Sequence, residues 1–317
     1  MSVPNLIVVT PVYEDREAAE RLFLELQGLY GSSLFVLAVD DGSVREPLTV
    51  EALERANVDG TILRLVRNVG HQRAIAIGLG FVARSMGEGQ TVIVMDSDGE
   101  DLPVSVKGLL KQLGDECVDV AVAARKSRFE SLRFKVFYVL YRFLFFLMTG
   151  KRIGFGNFMA LKPRAVHRLA AMQELPIHVA ATVISSKLRI AVVPIARGPR
   201  YAGQSKMNFV GLVLHGFKAM MVFAEDVLVR VGVICAGVGV FSILGIIAAI
   251  VLKITGYSTP GWFSIALGLL TLMLMQTGAL TLMTLMLVGV MRAGYVAPKV
   301  CYQDFIDEVL EHRVSDG

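Results

Sequence analysis

The stretch TVIVMDSDGEDLP, Thr91 to Pro103, runs an apolar β-branched segment straight into Asp96, Asp98, Glu100 and Asp101. It reads as a buried strand whose carboxyl end carries crowded carboxylates. Like charges a few ångströms apart destabilise one another unless a cation sits among them. A divalent metal is the candidate, and hard oxygen ligands suit magnesium or manganese. Asp96 and Asp98, at i and i+2 beyond the strand, are able to turn towards one point. Such ions keep waters and bridge substrate phosphates, so a nucleotide diphosphate is the natural third party. Taken alone, a D-x-D pair is equally what a solvated acidic loop offers.

Working outward from that strand, the first half of the chain alternates. Short β-branched runs at Leu6–Thr10, Leu34–Asp40, Thr61–Val66, Thr91–Asp96 and Val118–Ala124 are separated by amphipathic segments near 14–29, 46–55, 72–86 and 104–113. This order predicts an α/β domain with a mostly parallel, Rossmann-like sheet and right-handed crossovers. Ligands of such sheets bind at the carboxyl ends of the strands. The polar clusters fall there: Tyr13 and Glu14, then Asp40 to Ser43, then Asn68 to His71, then the acidic cluster. Tyr13 offers a flat face for a base, and Asp40 or Asp41 offers acceptors for a base N–H or ribose hydroxyls. DDGS is also an ordinary turn and helix cap. His71 reads more readily as structural than catalytic, and no GxGxxG fingerprint is present.

The second half changes character. Across 317 residues the chain is 54% hydrophobic and 19% charged, with a mean hydropathy of +0.57. That is too apolar for an ordinary soluble enzyme. Val231–Ile254 carries no charge before Lys253, and Trp262–Met291 carries none. Each is long enough to span roughly 30 Å of hydrocarbon, and the short turn between them predicts a transmembrane hairpin over 231–291. Two buried core helices are the alternative. Gly232, Ala236 and Gly239 suit close helix packing. The formal charge of +4, with Lys206, Lys218, Arg230, Arg292 and Lys299 flanking the hairpin, reads as a cytoplasmic membrane face and not as a nucleic-acid site. The segments 132–148 and 207–230 are apolar but interrupted by charge, and read as helices lying in the interface. Cys117, Cys235 and Cys301 fit neither a disulfide framework nor a zinc site. The N-terminus shows no secretory signal pattern. The expectation is a multi-pass protein of the inner (plasma) membrane with its N-terminal domain in the cytoplasm.

Taken together, P-V-Y-E, V-D-D-G-S, N-V-G-H-Q-x-x-A and M-D-S-D-x-E-D-L-P, in this order and spacing, resemble the family 2 glycosyltransferases of the GT-A fold. Within them the chain is most similar to the polyisoprenyl-phosphate glycosyltransferases, the group of dolichol-phosphate mannose synthase and its bacterial membrane-hairpin relatives. The resemblance runs on through Ala123–Ser131 and Gly198–Phe209 into the hairpin, from about Leu6 to Met291. It implies a catalytic domain over 1–206 and a juxtamembrane amphipathic helix over 207–230. The hairpin follows over 231–291, then a cytoplasmic tail over 292–317. It also implies that Asp96 and Asp98 hold Mg2+ or Mn2+ on the donor diphosphate, with Glu100 at the next polar position, where relatives usually carry Gln. Pro11, Tyr13, Glu14, Asp40, Asp41, Asn68 and Asp96 then belong to the nucleotide site. Arg125 and Arg128 match the basic pair that meets phosphate. Arg200, Gly203, Ser205 and Lys206 match a loop that closes over phosphates, as guanidinium and ammonium groups suit a dense anionic site.

Two segments depart from the group. FGNFMALKPR (Phe155–Arg164) places Asn157 and Met159 where many relatives carry Asp and Arg, and IHVAATVISSKLR (Ile177–Arg189) lacks the usual arginine-rich helix start. Both fall where acceptor and sugar are expected to meet. The resemblance implies inverting transfer of a hexose from a nucleotide diphosphate sugar, UDP-glucose for example, to a polyprenyl phosphate. A polysaccharide synthase of the same fold needs more spans and a Q-x-x-R-W motif, and neither is found. A catalytically silent membrane scaffold with a nucleotide pocket is the reading from another class. The sequence leaves the sugar and the oligomeric state, including a homo-oligomer, open.

Overall fold

The computed structural model describes residues 5–125, 132–201, 209–294 and 302–314. It forms two compact units, one of Met1–Tyr138, Arg152–Val222 and Lys299–Gly317, the other of Val139–Lys151 and Phe223–Pro298.

The first unit is built on one sheet. In chain order the elements are β1 (Leu6–Val12), α1 (Arg16–Tyr30), β2 (Leu34–Asp40), α2 (Val50–Ala56), β3 (Gly60–Leu65), α3 (His71–Ser85), β4 (Thr91–Val94), α4 (Val106–Leu113) and β5 (Val120–Arg125). After α5 (Leu132–Thr149) come β6 (Met159–Leu161), α6 (Pro163–Ala170), α7 (Val179–Ser185), β7 (Ile190–Ile195) and α8 (Phe209–Met221). Two further helices, α9 (Ala224–Ile254) and α10 (Trp262–Gly294), precede the last strand, β8 (Ile306–His312). The sheet order is β7-β5-β6-β4-β1-β2-β3-β8. Strands β4, β1, β2 and β3 are parallel neighbours, as the alternating sequence predicts, and β6 lies antiparallel between β4 and β5. This is a mostly parallel, Rossmann-like core, as the sequence predicts.

Side chains alternate across the sheet with period two. Val8 and Val36 face one layer with Leu22, Phe23 and Leu26 of α1, and Leu109 of α4. Val9 and Leu37 face the other with Ile75 and Leu79 of α3, Val166 of α6 and Val179 of α7. Both layers exclude water, so each parallel strand reads as a near-continuous apolar run.

The structure departs from the sequence reading in three places. No strand was read in the stretch FGNFMALKPR, but Met159–Leu161 is strand β6 within the sheet, and Met159 is fully buried. The segment 292–317 was expected as a tail, but Ile306–His312 pairs antiparallel with β3. The pairing caps an edge whose backbone groups would otherwise be bare, and Arg64 forms an ion pair with Glu308 across it. Lastly, the helix expected over 207–230 is interrupted. α8 ends at Met221 and α9 begins at Ala224, which places Glu225 and Asp226 in the first turn of α9, where carboxylates face the positive end of the helix dipole.

In the second unit α9 and α10 are each long and apolar enough to cross a membrane. They run antiparallel. Gly232 lies against Thr284, Gly239 against Thr277 and Leu274, and Gly245 against Leu270. A Cβ at Gly245 would stand 3.1 Å from Leu270 Cδ2, so small residues set how closely the pair packs. In the same unit Arg230 donates a 2.9 Å hydrogen bond to the Leu147 carbonyl.

Candidate active site

The acidic cluster is a tight turn at the carboxyl end of β4. Met95 N donates to Val9 O at 3.2 Å, which keeps the chain in register beyond the strand. Asp96 N then donates to Asp101 Oδ2 at 3.1 Å, and Glu100 N to Asp98 Oδ1 at 3.0 Å. Ser97 Oγ reaches the Pro11 carbonyl at 3.2 Å, tying the turn to the end of β1. Gly99 sits at φ +85°, a conformation that side chains disfavour. Asp101, buried, acts within the turn.

The cations demanded by this crowding come first from the protein itself. Arg200 Nη2 lies 2.9 Å from Asp98 Oδ2, and its Nε donates to Glu100 Oε1 at 3.1 Å. Arg197 forms an ion pair with the other Glu100 oxygen. Both arginines sit on the segment that follows β7, and that segment is strapped to the turn. Gly198 N donates to Glu100 O at 3.0 Å and Tyr201 N to Asp98 O at 2.9 Å. The Tyr201 ring covers Gly99, where a Cβ would stand 2.7 Å from it. Its hydroxyl donates to Glu25 Oε2 at 2.7 Å, and the Arg21 guanidinium lies 4.3 Å from its ring centre. Burial and the Glu25 carboxylate push the Tyr201 phenol well above its ordinary range.

Among the described residues no three acidic, histidine or cysteine side chains are arranged to hold an ion together. The expected set of Asp96, Asp98 and Glu100 is therefore not assembled as a cage. The donor chemistry still fits a magnesium or manganese ion that takes one or two protein carboxylates and fills its remaining positions with phosphate oxygens and water.

His71 is the residue whose part in the site the sequence reading undervalued. It opens α3, and its Nε2 lies 3.1 Å from Asp96 Oδ1 and 3.1 Å from Asn157 Nδ2. Asn157 arrives there through register: β6 pairs Met159 with Val94, so residue 157 stands opposite residue 96. Desolvation opposes charge on the His71 ring, but Asp96, Asp98 and Asp101 outweigh it and hold the pKa above its usual value. The signal in the sequence was the position of His71 at a strand-to-helix turn, level with the carboxylates.

The expected nucleotide residues come together at the same end of the sheet, several of them as builders of its loops. Glu14 accepts hydrogen bonds from Val44 N at 2.9 Å, Arg45 N at 3.2 Å and Glu46 N at 2.9 Å, and these backbone donors hold its carboxyl below the usual range. Asp40, fully buried, accepts from Ser43 N and Leu48 N, each at 2.9 Å. Asp41 accepts from Val69 N at 2.7 Å and Gly70 N at 2.9 Å, fixing the loop that carries Asn68. Burial pushes the Asp41 carboxyl up despite these donors. Gly42 lets the two loops touch, since a Cβ there would meet the Arg67 and Asn68 backbone at 2.5–2.6 Å. Tyr13 is 44% exposed at this end of the sheet. Arg125 ends β5, but its side chain, and the whole of Arg128, Gly203, Ser205 and Lys206, lie outside the described residues.

The wider comparison agrees with this architecture. A protein of Bacillus subtilis (strain 168), the uncharacterized glycosyltransferase YkoT, is 25% identical over 310 residues, covering 91% of this chain and 86% of that one. A mycobacterial protein of known structure superposes with a TM-score of 0.51 at 14% identity, over 70% of this chain and 74% of that one. Glucosyl-3-phosphoglycerate synthase from Mycobacterium tuberculosis, in complex with Mn2+, uridine diphosphate and phosphoglyceric acid, superposes at 0.50 with 14% identity, over 72% and 78% of the two chains. At such identity the likeness to the two structures is one of fold. The family model for glycosyl transferase family 2 matches residues 7–172, a span that holds the acidic turn, His71, Asn157 and every strand from β1 to β6. The chain is a glycosyltransferase and belongs to glycosyl transferase family 2.

Proposed function

We propose that this transferase moves a hexose from a nucleotide diphosphate sugar, with UDP-glucose the favoured donor, to a polyprenyl phosphate at the cytoplasmic face of the inner membrane, with inversion at the anomeric carbon. The observation that carries this reading is one of connectivity. The described part of the strap that covers the acidic turn runs to Tyr201, and the next elements in the chain are α8 and then two helices fit to cross a bilayer. A catalytic domain followed in sequence by a helix pair of this kind suits an acceptor carried by a lipid. The return of β8 to the sheet supports an even number of crossings, because β3 and β8 share one side. The reading therefore divides the chain into a catalytic domain over 1–206, completed by β8, a juxtamembrane helix and a hairpin within 231–291.

The chain's own residues suit such a transfer. A phosphate monoester has a second pKa near 6, so the acceptor oxygen is ionised at neutral pH and Asn157 need not act as a base. That oxygen forms a bond to the anomeric carbon as the bond to the donor diphosphate breaks, and the electron pair leaves with the nucleotide. Arg200, held near Asp98, offers positive charge where the diphosphate departs. A divalent ion, when bound at Asp98 and Asp96, supplies Lewis-acid stabilisation of the same oxygens. The manganese and uridine diphosphate bound by the mycobacterial synthase support this donor chemistry.

The test is to incubate purified protein in detergent with radiolabelled UDP-glucose, polyprenyl phosphate and Mn2+, and to look for a chloroform-soluble glycolipid. Transfer to the lipid phosphate supports the reading. Transfer only to a soluble phosphorylated acceptor overturns the lipid assignment and leaves the family assignment intact.

A further inference from the structure

Glu100 is placed unlike a side chain waiting for an ion. It is 8% exposed, and each of its oxygens already faces a guanidinium, Oε1 that of Arg200 and Oε2 that of Arg197. Its backbone carbonyl accepts from Gly198 N, next to Arg197 in the chain. Asp98 meets Arg200 through Nη2. The Glu100 side chain is 10% exposed and that of Asp98 16%, while those of Arg197 and Arg200 are 19% and 26%. The inner pair is thus Glu100 with Arg197, and the outer contact is Asp98 with Arg200.

We propose that Arg197 is a positioning residue. It neutralises Glu100, keeps that carboxylate off the metal, and makes it the anchor of the strap that presents Arg200. The inference rests on the reading of Asp98 as a metal-holding carboxylate. With Asp98 holding a cation, Arg200 would keep its Nε bond to Glu100 while its Nη2 became available to the donor diphosphate. A buried carboxylate stripped of its partner is strongly unfavourable, so without Arg197 the Glu100 charge turns to the nearest cation available, whether Arg200 or the metal.

The experiment measures manganese affinity in the full-length protein in detergent, by the free Mn2+ signal in electron paramagnetic resonance at saturating UDP. No lipid or sugar transfer is needed. Arg197→Met adds a net negative charge beside the ion and is expected to tighten manganese by about tenfold, the scale on which outer partners act, with a lowered unfolding temperature. The double variant Arg197→Met with Glu100→Gln removes the pair together. It is expected to recover the unfolding temperature and a manganese affinity within about threefold of the parent, since a buried pair replaced as a whole costs little. A loss greater than that in the double variant makes Glu100 a ligand and overturns the proposal. Should Arg197→Met fail to fold, the double variant alone decides. Absence of manganese binding in the parent protein sinks the metal reading itself, and this inference with it.

Discussion

Asn157 and His71 meet side chain to side chain, amide nitrogen to Nε2 at 3.1 Å, although they lie 86 positions apart in the chain. The same Nε2 faces Asp96 Oδ1. One ring nitrogen cannot serve a donor and an acceptor at once, so a His71 that donates to Asp96 leaves Asn157 to present its oxygen. The pair with Asp96 is partly open to water, and its strength depends on the proton. The folded-state pKa of His71 is raised, so the stability it contributes is complete below the unfolded value of about 6.5 and is lost as pH rises through the folded one. His71→Gln should flatten that part of the profile, measured as unfolding temperature from pH 5 to 9 in chelator-treated protein. An unchanged profile would show that the pair is not coupled to folding.

Asp98 should be indispensable for turnover and dispensable for folding. Asp98→Ala relieves crowding in the turn and frees Arg200 to pair with Glu100 alone. Loss of about 10²-fold or more in kcat is expected, the size seen when a preorganised charge-stabilising group is removed, with no fall in unfolding temperature. Chelation of the parent protein should abolish turnover and manganese should restore it.

Glu14 holds three consecutive backbone N–H groups of the loop after β2. That arrangement fixes the loop, and on the proposed reading the loop is a wall of the nucleotide site. Glu14→Ala should weaken UDP binding by about tenfold, since unmade backbone bonds to a charged group are each worth over 1 kcal/mol. Isothermal titration reads this directly, and equal affinity in the variant would assign Glu14 no part in shaping the site.

Far from the site, Asp119 and Arg189 join the start of β5 to the start of β7. Arg189 Nη2 lies 2.7 Å from Asp119 Oδ1, and Arg189 N and Nε both donate to Oδ2. The Arg189 side-chain hydrogen bonds bring the Asp119 pKa down to about 2. The sign follows from linkage. The stabilisation is complete above the unfolded value of about 3.9 and is lost as pH falls towards 2. Because Arg189 is half exposed, solvent screening reduces the effect, and Asp119→Asn should cost about 1–2 kcal/mol at neutral pH. Urea unfolding at pH 7 and pH 3 checks it, the difference between parent and variant shrinking at the lower pH.

The sequence made the parallel half of the sheet legible because β1 to β4 are buried on both faces, and full burial writes itself as unbroken apolar runs. The acidic turn was legible because four carboxylates at a strand end have few structural excuses. Strand β6 was not, since three residues, Met159 to Leu161, are too short to show a period, and only their central place in the sheet makes them a strand. β8 was hidden for the opposite reason: as an edge strand rich in Asp and Glu it resembles a solvated tail. The Arg197–Glu100 pair was invisible because nothing local links positions 97 residues apart. What joins them is the packing of Tyr201 on Gly99.

The place of β8 sets an order of events during synthesis. Its partner β3 ends at Leu65, whereas β8 begins at Ile306, so both apolar helices leave the ribosome before the strand exists. Until then the outer edge of β3 stands open, an unpaired edge of the kind that recruits foreign strands. The nascent catalytic domain therefore matures last at its rim, and any delay in handling the two helices prolongs its exposure to aggregation. Completion of the sheet reports that the helices have been made.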